Sequence, residues 1–292
     1  MILIADSGST KTDWRLIDDK KQIHQFATQG INPYFLTSDE IANLLESELI
    51  PQMSFKTLNL PAGQAGFELL IYFYGAGCAS DSKKQIVQTA LSKIFPEANV
   101  IVETDLLGAA RSVCGSHEGI TAILGTGANT CYYDGNKIVE NTPSLGYVLG
   151  DEGSGAHIGK TFIQAYLNKE MPQELSNRFY ERFKLGKDEI LDAVYKQPMP
   201  NRFLASFSKF IYQNLKEQFV VNLVADCFGQ FFDKHICKYA KHKEVKLSCV
   251  GSVAFYYSNI LRAVALNKGV TIDKIIETPI AGLTLYHLGE GE

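Results

Sequence analysis

One pattern occurs twice in the chain and limits the folds that the chain can adopt more than any other feature. Each copy has a short apolar strand, a turn of glycine and hydroxyl residues, a second strand, a polar hairpin and a third strand. The strands of the first copy are predicted at 2–5, 13–17 and 22–27, and those of the second at 120–124, 130–133 and 137–140. Strands this close in sequence pair antiparallel. The pattern therefore predicts a structural repeat in which each half opens with a three-stranded meander.

Helices alternate with strands after the first meander. A helix capped by Ser38 is predicted to run to about Leu49, and another starts at Asp81 or Ser82 and ends near Phe95. Strands at 68–74 and 99–102 surround this second helix. Such alternation predicts that parallel strands extend the sheet. The sequence after Ser154 is mostly helical up to a strand at 245–250.

The length of 292 residues corresponds to roughly two domains. We expect an α/β protein whose first domain covers 1–108, with a terminal helix at about 280–292 packed back on it. The second domain is expected over 109–279, with a helical insertion at about 155–240. No linker rich in Pro, Ser or charge separates the two.

The composition excludes several classes of protein. With 28 Lys and Arg against 32 Asp and Glu, the formal net charge is -4, so nucleic acid is not an expected partner. The six cysteines include no CxxC pair, which indicates reduced core residues rather than a disulfide framework or a metal site. The amino terminus lacks a signal-peptide pattern, and no apolar run approaches the ~20 residues of a membrane span. We therefore expect a cytoplasmic protein with no membrane partner.

The two turns of glycine and hydroxyl residues, 7–12 and 125–129, are candidates for phosphate binding. Small residues let backbone amides approach an anion, and hydroxyl groups add donors. One such turn alone is more often structural, but two at matching positions of a repeat could clamp a polyphosphate from both sides. A third glycine turn, Gly251-Ser252, ends a buried strand and could border a flat ring or simply reverse the chain.

Three carboxylates occupy positions that suit either chemistry or capping. Asp6 ends the first strand and could hold Mg²⁺ through water beside a phosphate turn, or bind the amides of that turn. Asp105 precedes a helical run at the carboxyl edge of the sheet, as an N-cap or as a base that takes a proton from an attacking hydroxyl. Asp151 lies in a glycine-flanked loop before a helix and could accept hydrogen bonds from ligand hydroxyls or cap that helix.

Four strings of residues, in order along the chain, resemble one known family. They are Asp6-Ser-Gly-Ser-Thr-Lys-Thr12, Leu124-Gly-Thr-Gly-Ala-Asn129, Gly150-Asp-Glu-Gly-Ser154 and Cys249-Val-Gly-Ser-Val253. Over nearly its whole length the chain resembles the BadF/BadG/BcrA/BcrD ATPase family, which N-acetylglucosamine kinases share with the activators of benzoyl-CoA reductase and 2-hydroxyglutaryl-CoA dehydratase. The resemblance implies an α/β fold of two ribonuclease H-like domains, of the actin and hexokinase type, with a nucleotide cleft between them.

The resemblance also implies a role for each residue that matches a family motif. ATP would be bound by Gly8, Ser9, Thr10, Lys11, Thr12, Gly125, Thr126, Gly127, Ala205, Gly251 and Ser252. Asp105 matches the catalytic base, and Asp6 is expected to hold Mg²⁺ through water. The sugar would contact Asn32, Asp105, Ala128, Asn129, Gly146, Tyr147 and Asp151. The first turn departs from the glycine-richer family pattern at Ser7 and Ser9, and Leu145 replaces an aromatic residue on which the sugar ring could rest.

The implied function is an ATP-dependent and Mg²⁺-dependent kinase of a small-molecule amino sugar, with N-acetylglucosamine as the leading acceptor. The alternatives are an N-acetylmuramic acid or glucosamine kinase, and a non-catalytic sensor of ATP or sugar. The activator branch is disfavoured because the loop 151–155 lacks the cysteine that helps to hold the iron-sulfur cluster of that branch. No cysteine-rich zinc motif is present either. The sequence leaves open the acceptor hydroxyl and the oligomeric state, for which a homodimer is one option.

Overall fold

Two five-stranded sheets organise the residues that the computed structural model describes, which are 1–8, 10–53 and 69–289. The strands are β1 (Ile2–Ser7), β2 (Lys11–Ile17), β3 (Ile23–Gln29), β4 (Leu70–Gly75), β5 (Asn99–Thr104), β6 (Glu118–Leu124), β7 (Ala128–Asp134), β8 (Ile138–Thr142), β9 (Leu247–Val250) and β10 (Ile272–Ile276). The first sheet has the order β3-β2-β1-β4-β5, and the second has the order β8-β7-β6-β9-β10.

The two sheets share one topology. In each of them three strands form an antiparallel meander, and two further strands add parallel to its first strand. The predicted α/β class and the predicted repeat are therefore confirmed. Strand β10 was not predicted, because its residues 272–276 include the charged pair Asp273 and Lys274 and do not form a continuous buried run like β9. The repeat itself requires a strand at this place, as the counterpart of β5.

The helices connect and cover these sheets. They are α1 (Ser38–Leu44), α2 (Asp81–Ile94), α3 (Asp105–Cys114), α4 (Gly146–Leu149), α5 (Gly155–Leu167), α6 (Gln173–Phe183), α7 (Lys187–Tyr195), α8 (Pro200–Ala205), α9 (Ser208–Gln213), α10 (Gln218–Lys234), α11 (Ser252–Tyr256), α12 (Ser258–Asn267) and α13 (Ile280–Leu288). A π-helical turn, Leu45–Leu49, continues α1, and a 3₁₀ turn, Ile236–Lys238, follows α10. Among the described residues, no helix has the length and apolar character needed to cross a membrane.

The described chain divides into two compact units, one of Met1–Ser116 with Pro279–Glu292 and the other of His117–Thr278. In the first unit, α1 shows how the sequence sets a helix start. Its N-cap is Thr37 rather than the predicted Ser38, because the Thr37 hydroxyl accepts from the Glu40 amide and the Glu40 carboxylate accepts from the Thr37 amide. This reciprocal capping fixes the first turn of the helix.

The terminal helix α13 packs against α3 and β1 of the first unit. A Cβ atom at Gly282 would lie 2.2 Å from the Ser112 carbonyl oxygen, so glycine lets the two helices approach closely. The Tyr74 hydroxyl lies 2.9 Å from His287 Nε2 and accepts a hydrogen bond of 2.8 Å from Arg111. The Tyr72 ring stacks on His287 with the ring centres 3.8 Å apart. These contacts fix α3, and with it the position of Asp105 at its first residue.

The second unit has a core rich in phenylalanine. Its fully buried aromatic side chains include Phe162, Phe179, Phe207, Phe228, Phe231 and Phe232. The chain between α9 and α10 leaves the helical path at Asn214, whose side chain donates to the Phe210 carbonyl at 2.8 Å. A Cβ atom at Gly159 would lie 2.0 Å from the Leu204 carbonyl oxygen, so helices α5 and α8 cross at backbone contact.

Candidate functional site

The candidate site residues of the first unit gather at one edge of its sheet. Ser7, Gly75 and Thr104 lie side by side in the strand register, each at the carboxyl end of its strand. Asp6 precedes Ser7, and Asp105 follows Thr104. The carboxyl ends of parallel strands are where α/β sheets place their ligands. The topology therefore brings together two carboxylates that are far apart in sequence.

Asp105 opens helix α3, but the capping role belongs to its neighbour. The Thr104 hydroxyl accepts a hydrogen bond of 3.1 Å from the Leu107 amide, which makes Thr104 the N-cap. Asp105 accepts one hydrogen bond through Oδ1, at 2.8 Å from the Leu106 amide. Burial raises the pKa of Asp105 above its ordinary value, and hydrogen bonds from the Leu106 amide and from its own amide oppose the rise. A carboxylate that is relieved of capping, with a raised pKa, is suited to proton transfer.

Asp6 lies within the electrostatic reach of Asp105. Burial, and then the charges of Asp105 and Asp13, raise the pKa of Asp6 to about 7, while Lys11 opposes this rise. Lys11 itself is paired with Asp13 at 2.5 Å. This concentration of carboxylate charge suits a cation. Among the described residues no group of three or more acidic, histidine or cysteine side chains is arranged to hold a metal ion.

The first glycine and hydroxyl turn is fixed by its own side chains. The hydroxyls of Ser7 and Thr12 are buried and lie 2.8 Å apart, and they contact the carbonyls of Ile31 and Gln29, each at 3.0 Å. The proton of the Thr12 hydroxyl is therefore used by the Gln29 carbonyl within the fold. Ser7 also accepts from the Ile31 amide at 3.0 Å, which ties the turn to the loop that follows β3.

The remaining residues of this turn that were predicted to bind ATP are Gly8, Ser9 and Thr10. The Gly8 amide closes the turn on the Lys11 carbonyl at 3.0 Å. The Thr10 side chain is exposed and free to meet a ligand. Ser9, also predicted to bind ATP, lies outside the described residues.

Asn32 has one polar end already occupied. Its Oδ1 accepts a hydrogen bond of 2.9 Å from the Tyr34 amide, so Nδ2 remains to donate to a ligand carbonyl. Gly77 has φ +83°, and a Cβ atom there would lie 2.5 Å from Asn32 Oδ1. The sequence did not single out Gly77, although it ends the string Gly75-Ala76-Gly77 after a strand. This glycine leaves room for the Asn32 side chain.

In the second unit, the turn 125–127 is held from behind by helix α5. The first amides of this helix, those of Gly155 and Ala156, donate to the carbonyls of Gly125 and Thr126 at 2.8 and 3.0 Å. Within the described part of the chain, the amides of Thr126 and Gly127 have no such acceptor. Fixed carbonyls and unengaged amides on a small-residue turn form a concave anion site.

The Asp151 side chain lies next to Gly127 of this turn. It is a buried residue with φ +58°, and a Cβ atom at Gly127 would lie 3.0 Å from its Oδ2. Burial raises the pKa of Asp151, while hydrogen bonds from the Ala128 amide and the Ser144 hydroxyl, the latter of 3.2 Å, oppose the rise. Asp151 is therefore an oriented acceptor next to the second turn.

The other predicted sugar residues of this unit lie on β7 and α4. Asn129 accepts hydrogen bonds through Oδ1 from the Thr130 amide at 3.0 Å and from Asn141 at 3.1 Å, so its Nδ2 is the group left for a ligand. Gly146 has φ +73°, which starts α4 in a backbone conformation that suits glycine. The Tyr147 carbonyl accepts from Lys160 at 2.9 Å, which attaches α4 to α5.

The predicted adenosine residues line one cavity. Ala205 and Ser252 border a cavity of about 470 Å³ together with Ser208, Tyr212, Tyr256 and Tyr257. A Cβ atom added to Gly155 would lie 3.3 Å from the Cβ of Ala205 and 3.2 Å from the Gly125 carbonyl oxygen. The cavity therefore begins beside the second turn. Gly251 has φ +121°, and a Cβ atom there would lie 2.3 Å from the Leu124 carbonyl oxygen. The structure thus brings 125–127, 205 and 251–252 together within the second unit.

A buried charge network next to Asp151 was missed by the sequence reasoning. Glu152 is paired with Lys234 at 2.6 Å and with His235 at 2.9 Å. Burial alone would raise the pKa of Glu152, but these hydrogen bonds outweigh it and lower the pKa to about 2. The partners come from the end of helix α10, 82 and 83 residues away. No local signal in the sequence connects them with the glycine loop.

Comparisons with known proteins give the relatives of this fold. No family model matches the chain. The crystal structure of a provisionally assigned N-acetylglucosamine kinase from Porphyromonas gingivalis superposes with a TM-score of 0.91 at 41% identity, covering 100% of both chains. The N-acetylmuramic acid/N-acetylglucosamine kinase of Clostridium acetobutylicum is 26% identical over 217 residues, which are 70% of this chain and 68% of that protein. A ROK family glucokinase from Streptomyces griseus, solved with glucose and AMPPNP, shares the fold with a TM-score of 0.51 at 12% identity, over 98% of this chain and 97% of its own. The predicted actin-like and hexokinase-like fold class is confirmed.

Proposed function

This chain belongs to the family of N-acetylglucosamine kinases and is an ATP-dependent sugar kinase, and on that premise we propose that N-acetylglucosamine is its acceptor and Asp105 its general base. The observation that carries the proposal is the state of the Asp105 carboxyl group. Thr104 takes over the capping of helix α3, and Asp105 keeps one oxygen outside any hydrogen bond to the Leu106 amide. A base needs such an oxygen to accept the proton of the attacking sugar hydroxyl.

The nucleotide is proposed to use the second unit. The amides of Thr126 and Gly127 would donate to phosphate oxygens, and their fixed position would require no reorganisation when charge develops on the transferred group. The exposed Thr126 hydroxyl adds a donor. The cavity at Ala205 and Ser252, lined by three tyrosines, has the size and the flat walls that suit a purine. Lys11 and Thr10 are the proposed donors from the first turn.

Mg²⁺ is proposed to be held by Asp6. The fit rests on the crowding of Asp6, Asp13 and Asp105, which raises the pKa of Asp6 by charge repulsion as well as by burial. Held by Asp6, Mg²⁺ would supply positive charge to offset the negative charge of the nucleotide phosphates. Asp105 is left to accept the proton, since it follows β5, which is separated from the Asp6 strand β1 by β4.

Sugar recognition is proposed to divide between an acetamido contact and hydroxyl contacts. Asn32 donates from Nδ2 to the acetamido carbonyl, because its Oδ1 is held by the Tyr34 amide. Asp151 and Asn129 contact ring hydroxyls. The alternative acceptor is N-acetylmuramic acid, because the relative from Clostridium acetobutylicum is called an N-acetylmuramic acid/N-acetylglucosamine kinase. The four sequence motifs support placing the chain in the BadF/BadG-type branch.

The proposal is tested by a coupled assay that follows ADP release with N-acetylglucosamine, N-acetylmuramic acid and glucosamine. Asp105→Asn keeps the size of the side chain but removes proton acceptance, so kcat should fall by roughly 10² to 10⁴ with little change in ATP affinity. Asp188→Asn, at an exposed position in the first turn of α7, is the matched control and should remain fully active. An Asp105→Asn enzyme with normal turnover would remove the general base from this mechanism, and binding of sugar and ATP without sugar phosphate would indicate a sensor.

A further inference from the structure

One lysine of the first unit is fixed beside the proposed acetamido contact. Lys83, in the first turn of α2, donates to the Pro33 carbonyl at 2.8 Å. Its ammonium group lies 4.5 Å from the centre of the Tyr34 ring. Both partners belong to the loop that carries Asn32. The side chain is partly buried, so its charged end is confined to this loop rather than extended into solvent.

The charge of Lys83 has no carboxylate partner in the described part of the chain. The neighbouring Lys84 differs, because it is paired with Glu103 at 2.5 Å. An ammonium group carries three donors, and the Pro33 carbonyl uses one of them. Two donors and an unbalanced positive charge therefore remain beside the loop.

The Tyr34 ring connects the ammonium group with the Asn32 amide. A Cβ atom at Gly77 would lie 2.5 Å from Asn32 Oδ1 and 3.0 Å from Tyr34 Cδ2, so the ring edge and the amide border the same small space. Lys83 lies over that ring. The Lys83 ammonium and the Asn32 side chain therefore both lie close to the Tyr34 ring.

The remaining charges of this unit's candidate site are unfavourable for an acidic ligand. Asp6, Asp13 and Asp105 raise the local negative charge, and the nearby Lys11 is already paired with Asp13. An acceptor that carries a carboxylate would be repelled unless a cation balanced it. Lys83 is placed to provide this cation.

We propose that Lys83 binds the carboxylate of an acidic acceptor, an N-acetylamino sugar whose carboxyl group is carried by an ether substituent on the carbon next to the acetamido group. N-acetylmuramic acid has this chemistry. The inference rests on the proposed function, because Asn32 must hold the acetamido group. It assigns to Lys83 the discrimination between acidic and neutral acceptors.

The test compares Lys83→Gln, Lys83→Arg and the control Lys84→Gln in the coupled assay with N-acetylmuramic acid and N-acetylglucosamine. Gln keeps a donor for the Pro33 carbonyl but removes the charge. Loss of a charge-assisted hydrogen bond should raise KM for N-acetylmuramic acid by roughly tenfold to a hundredfold. KM for N-acetylglucosamine should change by less than about threefold, kcat should be unchanged for both sugars, and Arg should restore most of the loss.

Each contrary outcome is separable from a failure of the proposed function. Equal increases for both sugars would reduce Lys83 to a residue that only positions the loop, and an unchanged KM for N-acetylmuramic acid would remove its role altogether. A wild-type enzyme that phosphorylates N-acetylglucosamine but does not bind N-acetylmuramic acid would overturn the inference and leave the proposed function intact. If neither sugar were phosphorylated, the proposed function would fail, and calorimetric titration of N-acetylmuramic acid into wild type and Lys83→Gln would still decide on Lys83.

Discussion

Gly125→Ala separates the binding role of the second turn from its structural role. A Cβ atom at this position meets no atom within 4 Å, and the residue does not have a positive φ. The variant should therefore fold normally and gain about 0.4–1 kcal/mol of stability, because alanine lowers the entropy of the unfolded chain. Gly127 and Gly251 lack this property. At Gly127 a Cβ atom would lie 3.0 Å from Asp151, and at Gly251 one would lie 2.3 Å from a carbonyl oxygen.

The functional effect follows from close approach. If the amides of Thr126 and Gly127 bind phosphate, a methyl group on Gly125 stands beside the anion and displaces it from at least one of them. Losing one hydrogen bond to a charged group costs about 1.5–3 kcal/mol, or roughly a tenfold to hundredfold weaker Kd for ATP. Titration calorimetry with ATP and with ADP measures this, and chemical unfolding checks the stability. Gly229→Ala in α10, where a Cβ atom also meets nothing within 4 Å, is the control. Wild-type nucleotide affinity in Gly125→Ala would show that phosphate does not approach this turn.

Three further predictions concern other contacts. Gly77→Ala should displace the Asn32 side chain, because the new Cβ atom would lie 2.5 Å from Asn32 Oδ1. KM for N-acetylated sugars should rise by more than tenfold, while KM for glucosamine, which has no acetyl group, should change less. Equal increases in KM for both kinds of sugar would argue against the Asn32 contact. Gly251→Ala combines φ +121° with a 2.3 Å clash, so chemical denaturation should show a loss of more than about 2 kcal/mol, and a wild-type midpoint would contradict the close backbone approach. Burial lowers the pKa of His287 to about 4 from about 6.5 in the unfolded chain, so the contribution of the neutral ring to stability is complete above pH 6.5 and is lost as the pH falls towards 4. For this half-buried ring the free energy of unfolding should fall by about 2 kcal/mol between pH 7 and pH 4.5. His287→Gln should show a correspondingly smaller difference between the unfolding free energies at these two pH values.

The sequence by itself determined the parts of this protein that depend on local pattern. Short apolar runs and the composition of the turns between them predicted both meanders, and the repeat predicted that the two halves share a topology, as the sheet orders confirm. The same repeat could have predicted β10, the counterpart of β5. Glycine and hydroxyl residues at matching turns identified the candidate phosphate positions because backbone access to an anion depends on small side chains, which are visible in the sequence.

The tertiary structure decided which of two roles each polar side chain has, because a role depends on partners that are remote in sequence. Thr104 rather than Asp105 caps α3, and the Thr12 hydroxyl is used by the Gln29 carbonyl. The Tyr34 amide donates to Asn32 Oδ1, so Nδ2 is the end of the Asn32 amide that is left for a ligand. Glu152 meets Lys234 and His235 because the end of α10 packs against the glycine loop. Hydrogen bonds and charge pairs act over a few ångströms in space, so the spacing of residues along the chain does not reveal them. The fold therefore decides which donors, acceptors and charges are left for a ligand.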